Sequence, residues 1–334
     1  MNRTKLGVIG AGAWGRNHVR TAAGLADAEL AAVCDTDPKV RERLCRQYPG
    51  VRITTEVDEL WDHVDALVIA SPAATHARLA LACIAAGKPC LVEKPFALSA
   101  QDAEEVARRA VTAGVPVLAG HLLLFHPAVE RLRTLVQAGE LGRIYYLYGL
   151  RVNLGQVRAD ENALWSFGPH DVSVALYLLG ETPVRVAAQG KSYLQRRVED
   201  VVFLTMEFAS GVLGHVQLSW LDPHKERKLT VVGAKKMAVF DDMEAREKLR
   251  IYDKGVERPP DYRSYGEALS IREGDIFIPT VPNVEPLAAE LAHFVRVARG
   301  LEPPRARAED AVQVVRVLEA ATRSLNAGGT PVAL

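Results

Sequence analysis

Three glycines open the chain in the run Gly10-Ala11-Gly12-Ala13-Trp14-Gly15. That spacing suits a bound diphosphate. Gly10 permits a tight turn, Gly12 lets the backbone approach a pyrophosphate, and Gly15 allows close packing of a helix on a strand. The apolar run Leu6-Gly7-Val8-Ile9 predicts a buried strand before the loop, and residues 16–25 predict a helix after it. The helix start then offers free N–H groups and the positive end of its dipole to phosphates. Gly10, Gly12, Ala13, Trp14 and Gly15 are therefore candidate cofactor-binding residues. Asp35 follows at the end of a second predicted strand, residues 29–34, 25 positions after Gly10. An acid there accepts hydrogen bonds from the adenosine ribose hydroxyls and repels a 2′-phosphate, which favours NAD over NADP. The alternative is that Asp35, or Asp37 before Pro38, caps the next helix. Asp35 is assigned to the ribose and Asp37 to the cap.

Two more groups fall where strands end. Residues 64–70 predict a strand that stops at Ser71-Pro72, with His76 at the start of a helix over 75–86. Pro89-Cys90-Leu91-Val92 predicts another, ending in Glu93-Lys94-Pro95. In open α/β sheets, ligands sit beyond the carboxyl ends of the strands. Ser71, Pro72, His76, Glu93 and Lys94 thus fall at the same sheet edge as the glycine loop. His76 either lines the nicotinamide side or caps its helix. The bland alternative for Glu93 and Lys94 is a strand-end salt bridge. A helix over 101–113, opened by Ser99 and Asp102, and a strand over 115–118 continue the alternation. This βαβ rhythm predicts a doubly wound parallel sheet.

The composition frames these elements. A chain of 334 residues is long enough for two domains. It is 49% hydrophobic and 25% charged, with 41 basic and 41 acidic residues and so no net charge. That balance argues against a nucleic-acid or membrane surface over the whole chain. Cys34, Cys45, Cys83 and Cys90 show neither C-x-x-C nor disulfide-framework spacing. The nine histidines form no H-E-x-x-H group, so no metal is expected. No apolar run approaches the roughly 18 residues that span a bilayer. A first strand by about Lys5 leaves no room for a signal peptide. The expectation is a soluble, cytoplasmic protein.

The order of strand–GAGAWG, Asp35, ASPAATH and EKP resembles the Gfo/Idh/MocA oxidoreductases over essentially the whole chain. The resemblance implies an N-terminal Rossmann domain, residues 1–120. It also implies a C-terminal α+β domain, residues 121–334, with an open, mainly antiparallel sheet that serves substrate binding and oligomerisation. It implies NAD as cofactor and a Lys-Pro bond that is usually cis. Lys94 would stand near the nicotinamide and the reacting hydroxyl, with Glu93 holding its loop. Homodimers or homotetramers assembled through the C-terminal sheet are implied as well.

The second domain reads as follows. A helix is expected from His126-Pro127 to about 138, and an alternating strand over 143–154. There Ile144, Tyr146, Tyr148, Leu150, Val152 and Leu154 share one face, with Arg151 and Asn153 on the other. The Arg151 face is expected to meet solvent, with substrate contact as the minority alternative. The run from Asp160 to Asp171 leads into an apolar helix over 172–179 closed by Gly180. It resembles the family's D-x-G-x-H stretch, where the histidine contacts the substrate hydroxyl. His170 matches the histidine, while Ser166 stands where the aspartate is expected. Asp171 lies about 100° away around a helix and is not expected to replace it. Strands over 199–208, 212–221, 228–232, 236–240 and 248–253 suggest an antiparallel meander. Residues 254–284 read as a long polar excursion with a functional or assembly role. Helices over 285–297 and 308–325 are expected to pack back on the core.

Within the family, the stretches RVNLG and RADENALWSFGPHD look most like the UDP-N-acetylglucosamine 3-dehydrogenase subgroup. Arg151, Asn153, Asn162, Trp165 and His170 are then the candidate substrate residues. Trp165 reads equally as core. The alternatives are a free-sugar or inositol dehydrogenase, or a non-catalytic NAD(P)-binding regulator.

Overall fold

The computed structural model describes residues 3–155, 157–158, 161–257 and 270–334. In chain order the elements begin β1 (Thr4–Ile9), α1 (Gly15–Gly24), β2 (Ala28–Cys34), α2 (Pro38–Gln47), β3 (Arg52–Thr54), β4 (Ala66–Ile69) and α3 (His76–Ala85). They continue with β5 (Cys90–Glu93), α4 (Ala100–Ala113), β6 (Val117–Gly120), α5 (Pro127–Gln137), β7 (Ile144–Val152) and α6 (Ala163–Leu179). Then come β8 (Pro183–Lys191), β9 (Val201–Phe208), β10 (Leu213–Ser219), β11 (Glu226–Gly233), β12 (Met237–Asp241) and β13 (Leu249–Glu257). The chain finishes with β14 (Ser270–Phe277), α7 (Pro286–Ala298), α8 (Ala308–Asn326) and β15 (Val332–Ala333). It divides into two compact units, Met1–His126 with Val284–Arg316, and Pro127–Asn283 with Val317–Leu334. The division expected at 120/121 placed 284–316 in the second domain; this segment clusters with the first. Its α7 brings Leu291, Phe294 and Val295 into the same core as Leu6, Val8, Val68 and Leu91.

The first unit is built on a parallel sheet in the order β3-β2-β1-β4-β5-β6. Strand order reverses direction between β1 and β4, the switch point where such sheets take ligands. β4, β5 and β6 are buried at every residue, which is why they read as unbroken apolar runs. Local chemistry sets the helix ends. Asp37 accepts from the Lys39 N–H at 2.8 Å with Pro38 in the first turn of α2, and Ser99 accepts from the Asp102 N–H at 3.0 Å to start α4.

The second unit carries a nine-stranded sheet in the order β14-β13-β12-β11-β7-β10-β9-β8-β15. It is mainly antiparallel, as the family resemblance implies, but it is not a simple meander. β7 lies between β10 and β11, parallel to the first and antiparallel to the second. Three further expectations change. α6 starts at Ala163, nine residues before the predicted start, because Asn162 caps it and Pro169 is carried inside the helix. The Gly168-Pro169 pair reads as a helix breaker. Here Pro169 withholds the N–H that the Trp165 carbonyl would accept, and Gly168 lets the helix lie against Leu318 and Leu218. On β7, Leu147, Gly149 and Arg151 are buried, while Tyr146 and Tyr148 are exposed, so the faces are reversed. Finally, the expected excursion at 254–284 contains the end of β13 and all of β14, which pair antiparallel. Residues 258–269, with the Pro259-Pro260 run, lie outside the described residues.

Candidate active site

β1, β4 and β5 are neighbours and parallel, so their carboxyl ends deliver the glycine loop, Ser71 and Lys94 to one edge of the first sheet. The three glycines are needed for different reasons. Gly10 has φ +86°, and a Cβ there would fall 2.6 Å from the Ser71 nitrogen. A Cβ on Gly15 would fall 2.0 Å from the Gly10 carbonyl oxygen. Both are demanded by the chain's own packing. A Cβ on Gly12 would meet nothing within 4 Å. The chain leaves that space open, as a closely approaching pyrophosphate requires. Trp14 precedes α1 without a side-chain cap, and the Arg16 and Asn17 N–H groups bond the Gly12 and Trp14 carbonyls at 3.2 and 2.8 Å.

Asp35 sits beside this cradle. Its Oδ2 accepts from the Ala11 N–H at 2.7 Å and its Oδ1 from the Asp37 N–H at 2.8 Å. Each carboxylate oxygen retains acceptor capacity for a ribose hydroxyl. Asp37 caps α2, the role assigned to it. At the end of β4 the Ser71 hydroxyl bonds to Thr75 Oγ1 at 2.6 Å, and Pro72 is exposed. His76 is 1% exposed, with Nδ1 2.8 Å from the Pro95 carbonyl and Nε2 2.8 Å from that of Ser71. Its ring therefore ties the Ser71 loop to the Lys94 loop, a role neither sequence alternative contained.

Lys94 is half-buried and joined to Pro95 by a cis peptide bond, as the resemblance implies. The adjacent Glu93 is buried and accepts three hydrogen bonds. Its Oε1 takes the Trp14 indole N–H at 2.5 Å and His18 Nε2 at 2.7 Å, and its Oε2 takes the Lys94 backbone N–H at 2.9 Å. Burial alone would raise this carboxyl. The bonds and charge from His18, the Trp14 indole and the Lys94 ammonium outweigh it and hold Glu93 below the usual range. Gly120 makes room for the arrangement, since a Cβ there would lie 3.3 Å from Glu93 Oε2. Burial and then the nearby Glu93 charge push the Glu290 carboxyl well up, which favours its neutral form. Burial pushes His121 down to about 4.

In the second unit, α6 and the end of β7 hold the other candidates. Asn162 accepts from the Trp165 N–H at 3.1 Å and donates to Glu199 Oε2 at 2.6 Å. The Trp165 indole donates to Thr322 Oγ1 at 3.0 Å. Both side chains are thus engaged in shaping the helix start. Because α6 begins at Ala163, Ser166 and His170 lie one turn apart on one helix face. His170 is half-buried and Ser166 is buried. Arg151 is 8% exposed and its Nε donates to Asp171 Oδ2 at 2.5 Å, so this cation is already neutralised. Asn153 donates its N–H to Ser219 at 3.1 Å, and its side-chain oxygen is buried without a partner among the described residues.

His18, Gly120 and Glu290 were missed at the sequence level, and Asp171, set aside there as a partner for His170, was not seen as the partner of Arg151. Only His18 left a signal: it lies four residues after Trp14, hence on the same face of the first helical turns.

The comparisons agree with this architecture. A family model described as the oxidoreductase family with an NAD-binding Rossmann fold matches residues 4–121, and the GFO/IDH/MocA C-terminal domain matches residues 129–239. The rhizopine catabolism protein MocA of Rhizobium meliloti is 30% identical over 98% of this chain and 96% of its own length. Inositol 2-dehydrogenase 2 of Saccharopolyspora erythraea is 33% identical over 64% of this chain, and the match spans 66% of that relative. The UDP-N-acetylglucosamine 3-dehydrogenase of Acidithiobacillus ferrooxidans is 29% identical over 91% of each chain. Its solved structure superposes with a TM-score of 0.85 at 25% identity, covering 98% of this chain and 99% of that one. Fold and cradle together define an NAD-binding oxidoreductase. The chain belongs to the Gfo/Idh/MocA family.

Proposed function

We propose that this protein oxidises a secondary hydroxyl of a sugar with NAD, and that the sugar is a UDP-N-acetylated hexose of the UDP-N-acetylglucosamine type, oxidised at its 3-hydroxyl. The observation that carries the reading is the delivery of the open Gly12 cradle, Ser71 and Lys94 to one edge of a parallel sheet by adjacent strands. NAD, when bound there, accepts the hydride from the carbinol carbon. The hydroxyl proton goes to His170, since imidazole is the side chain best suited to general-base work near neutral pH. The Lys94 ammonium stabilises the developing alkoxide charge. Ser166, one turn before His170, supplies a hydroxyl where the family aspartate is expected. Asn153, whose side-chain oxygen is buried without a partner among the described residues, accepts from a sugar hydroxyl or an acetamido N–H. Arg151 is buried and held by Asp171, so the diphosphate falls to exposed cations such as Arg158, which would exchange its Glu161 partner at 2.9 Å for phosphate.

The test is a panel of UDP-sugars, free sugars and inositols, each offered with NAD and followed by NADH absorbance. Turnover confined to UDP-N-acetylhexoses supports the reading. Turnover of an inositol would favour the alternative suggested by the inositol dehydrogenase relative. Tight NAD binding without turnover of any member would favour a regulator. No described helix is long and apolar enough to cross a membrane.

The exposed face of the second sheet supports assembly with another copy of the chain. Tyr146 stacks on Tyr148 at 6.2 Å and Phe203 on His215 at 6.4 Å, with Leu213 opposite Tyr146 and His215 opposite Tyr148 in the strand register. Arg185 and Glu207 flank them as an exposed pair of opposite charge. We expect a homodimer or homotetramer in sedimentation, and a monomer from Tyr148→Asp. An unchanged oligomer in that variant would count against this face.

A further inference from the structure

We propose that His18 and Trp14 are positioning residues for Lys94, acting through the Glu93 carboxylate, and that this link couples occupancy of the glycine loop to the placement of the lysine. The proposal rests on the reading of Lys94 as the group beside the reacting hydroxyl, although the link itself does not depend on the substrate.

Glu93 is 5% exposed, so protein donors must replace the water its carboxylate has lost. They come from two directions. One oxygen takes both the Trp14 indole and His18 Nε2, and the other takes the backbone N–H of Lys94. A carboxylate in this state only accepts, so His18 carries its proton on Nε2. Bonds to a charged acceptor are the stronger kind, and they fix both ends of the chain of contacts. Trp14 and His18 meet edge to face at 6.4 Å and 84°, so the two donors support each other's orientation. Gly120, opposite Glu93 on the neighbouring strand, spares the carboxylate a Cβ that would lie 3.3 Å from Oε2.

The two donors differ in exposure, and that difference makes the link a coupling. His18 is 0% exposed and is a fixed strut. Trp14 is 45% exposed and belongs to the loop over which the pyrophosphate would lie. A ligand that settles Trp14 therefore settles Glu93 and, through it, the Lys94 backbone.

The test is amide hydrogen exchange of the full chain, read at Lys94, with and without saturating NAD. Exchange reports local opening, and the Lys94 N–H is held by Glu93 itself. Without NAD, His18→Leu and Trp14→Phe are expected to exchange this amide at least tenfold faster than wild type. His18→Gln, which returns an N–H near the imidazole Nε2 position, is expected to restore the rate to within threefold. NAD should slow the wild-type amide and fail to slow it in Trp14→Phe once titration shows that variant to be saturated. The proposal is overturned if the Lys94 amide keeps its wild-type rate in Trp14→Phe, or if His18→Gln behaves like His18→Leu. Should His18→Leu fail to fold, Trp14→Phe at its exposed position decides the matter. If wild type binds no NAD, the cofactor reading fails, and the exchange rates without NAD still decide whether His18 and Trp14 hold Lys94.

Discussion

Replacing Gly12 by alanine separates what the fold requires of the glycine loop from what a pyrophosphate requires. The added methyl meets no atom within 4 Å, and Gly12 is not among the residues of positive φ. Losing a glycine narrows the unfolded ensemble, so Gly12→Ala should be neutral or stabilising by about 0.4–1 kcal/mol. Gly15→Ala is the control, because its Cβ would lie 2.0 Å from the Gly10 carbonyl. Overpacking of that kind costs about 1–3 kcal/mol or more, which is about 2–4 °C of melting temperature per kcal/mol in a domain of 150–250 residues. Gly10→Ala meets backbone at 2.6 Å with φ +86° and should fall in the same class. NAD binding should order the variants differently. On the proposed reading, the methyl of Gly12→Ala would occupy space that the pyrophosphate needs, and a tenfold loss of affinity corresponds to about 1.4 kcal/mol. Differential scanning fluorimetry reads both quantities, since NAD at 100 times its Kd stabilises by about 2.7 kcal/mol. Gly12→Ala should melt at or above wild type without NAD and show a reduced shift with it. A variant that keeps the full NAD shift would refute the reading of this loop, as would one that melts as low as Gly15→Ala.

Two further outcomes follow from buried charge. Removing one member of the Arg151–Asp171 pair by Arg151→Met should cost about 3–5 kcal/mol, because the carboxylate is left buried and uncompensated. The double variant Arg151→Met/Asp171→Leu should recover most of it in urea denaturation, and equal losses in single and double variants would contradict the pairing. Glu290 gives a pH dependence of known sign. Its folded pKa is raised above the ordinary carboxylate value, so between that value and the raised one the native state holds a proton the unfolded state has released. Wild type should lose about 1.4 kcal/mol per pH unit across that window as pH rises. Glu290→Gln should therefore gain relative stability from pH 5 to pH 8 in denaturant titrations, and a constant difference would count against a neutral buried acid.

Much of the first unit was legible because its signals are local. Glycine spacing, an acid at a strand end and a serine or aspartate before a helix each state a backbone demand. Asp35, Asp37 and Ser99 consequently sit where the sequence puts them. What was not legible depends on partners distant in sequence. The tyrosines of β7 look like core and Arg151 looks like surface, until Asp171, twenty positions away, neutralises the arginine and lets that face be buried. The early start of α6 was hidden because Gly168-Pro169 argues locally for a break, while its packing against Leu318 and Leu218 argues for continuity. Glu290 carries no mark in its own helix, since what raises its pKa is burial in the folded core and, after it, the charge of Glu93, contributed by β5.

The central claim is that Lys94 serves hydride transfer from a sugar hydroxyl to NAD. The most direct measurement is NADH formation from UDP-N-acetylglucosamine by wild type and Lys94→Ala, both saturated with NAD as shown by titration. The expected result is turnover by wild type that nearly vanishes in Lys94→Ala, while NAD affinity changes by less than about tenfold, or about 1.4 kcal/mol. Near-normal turnover by Lys94→Ala would contradict the account.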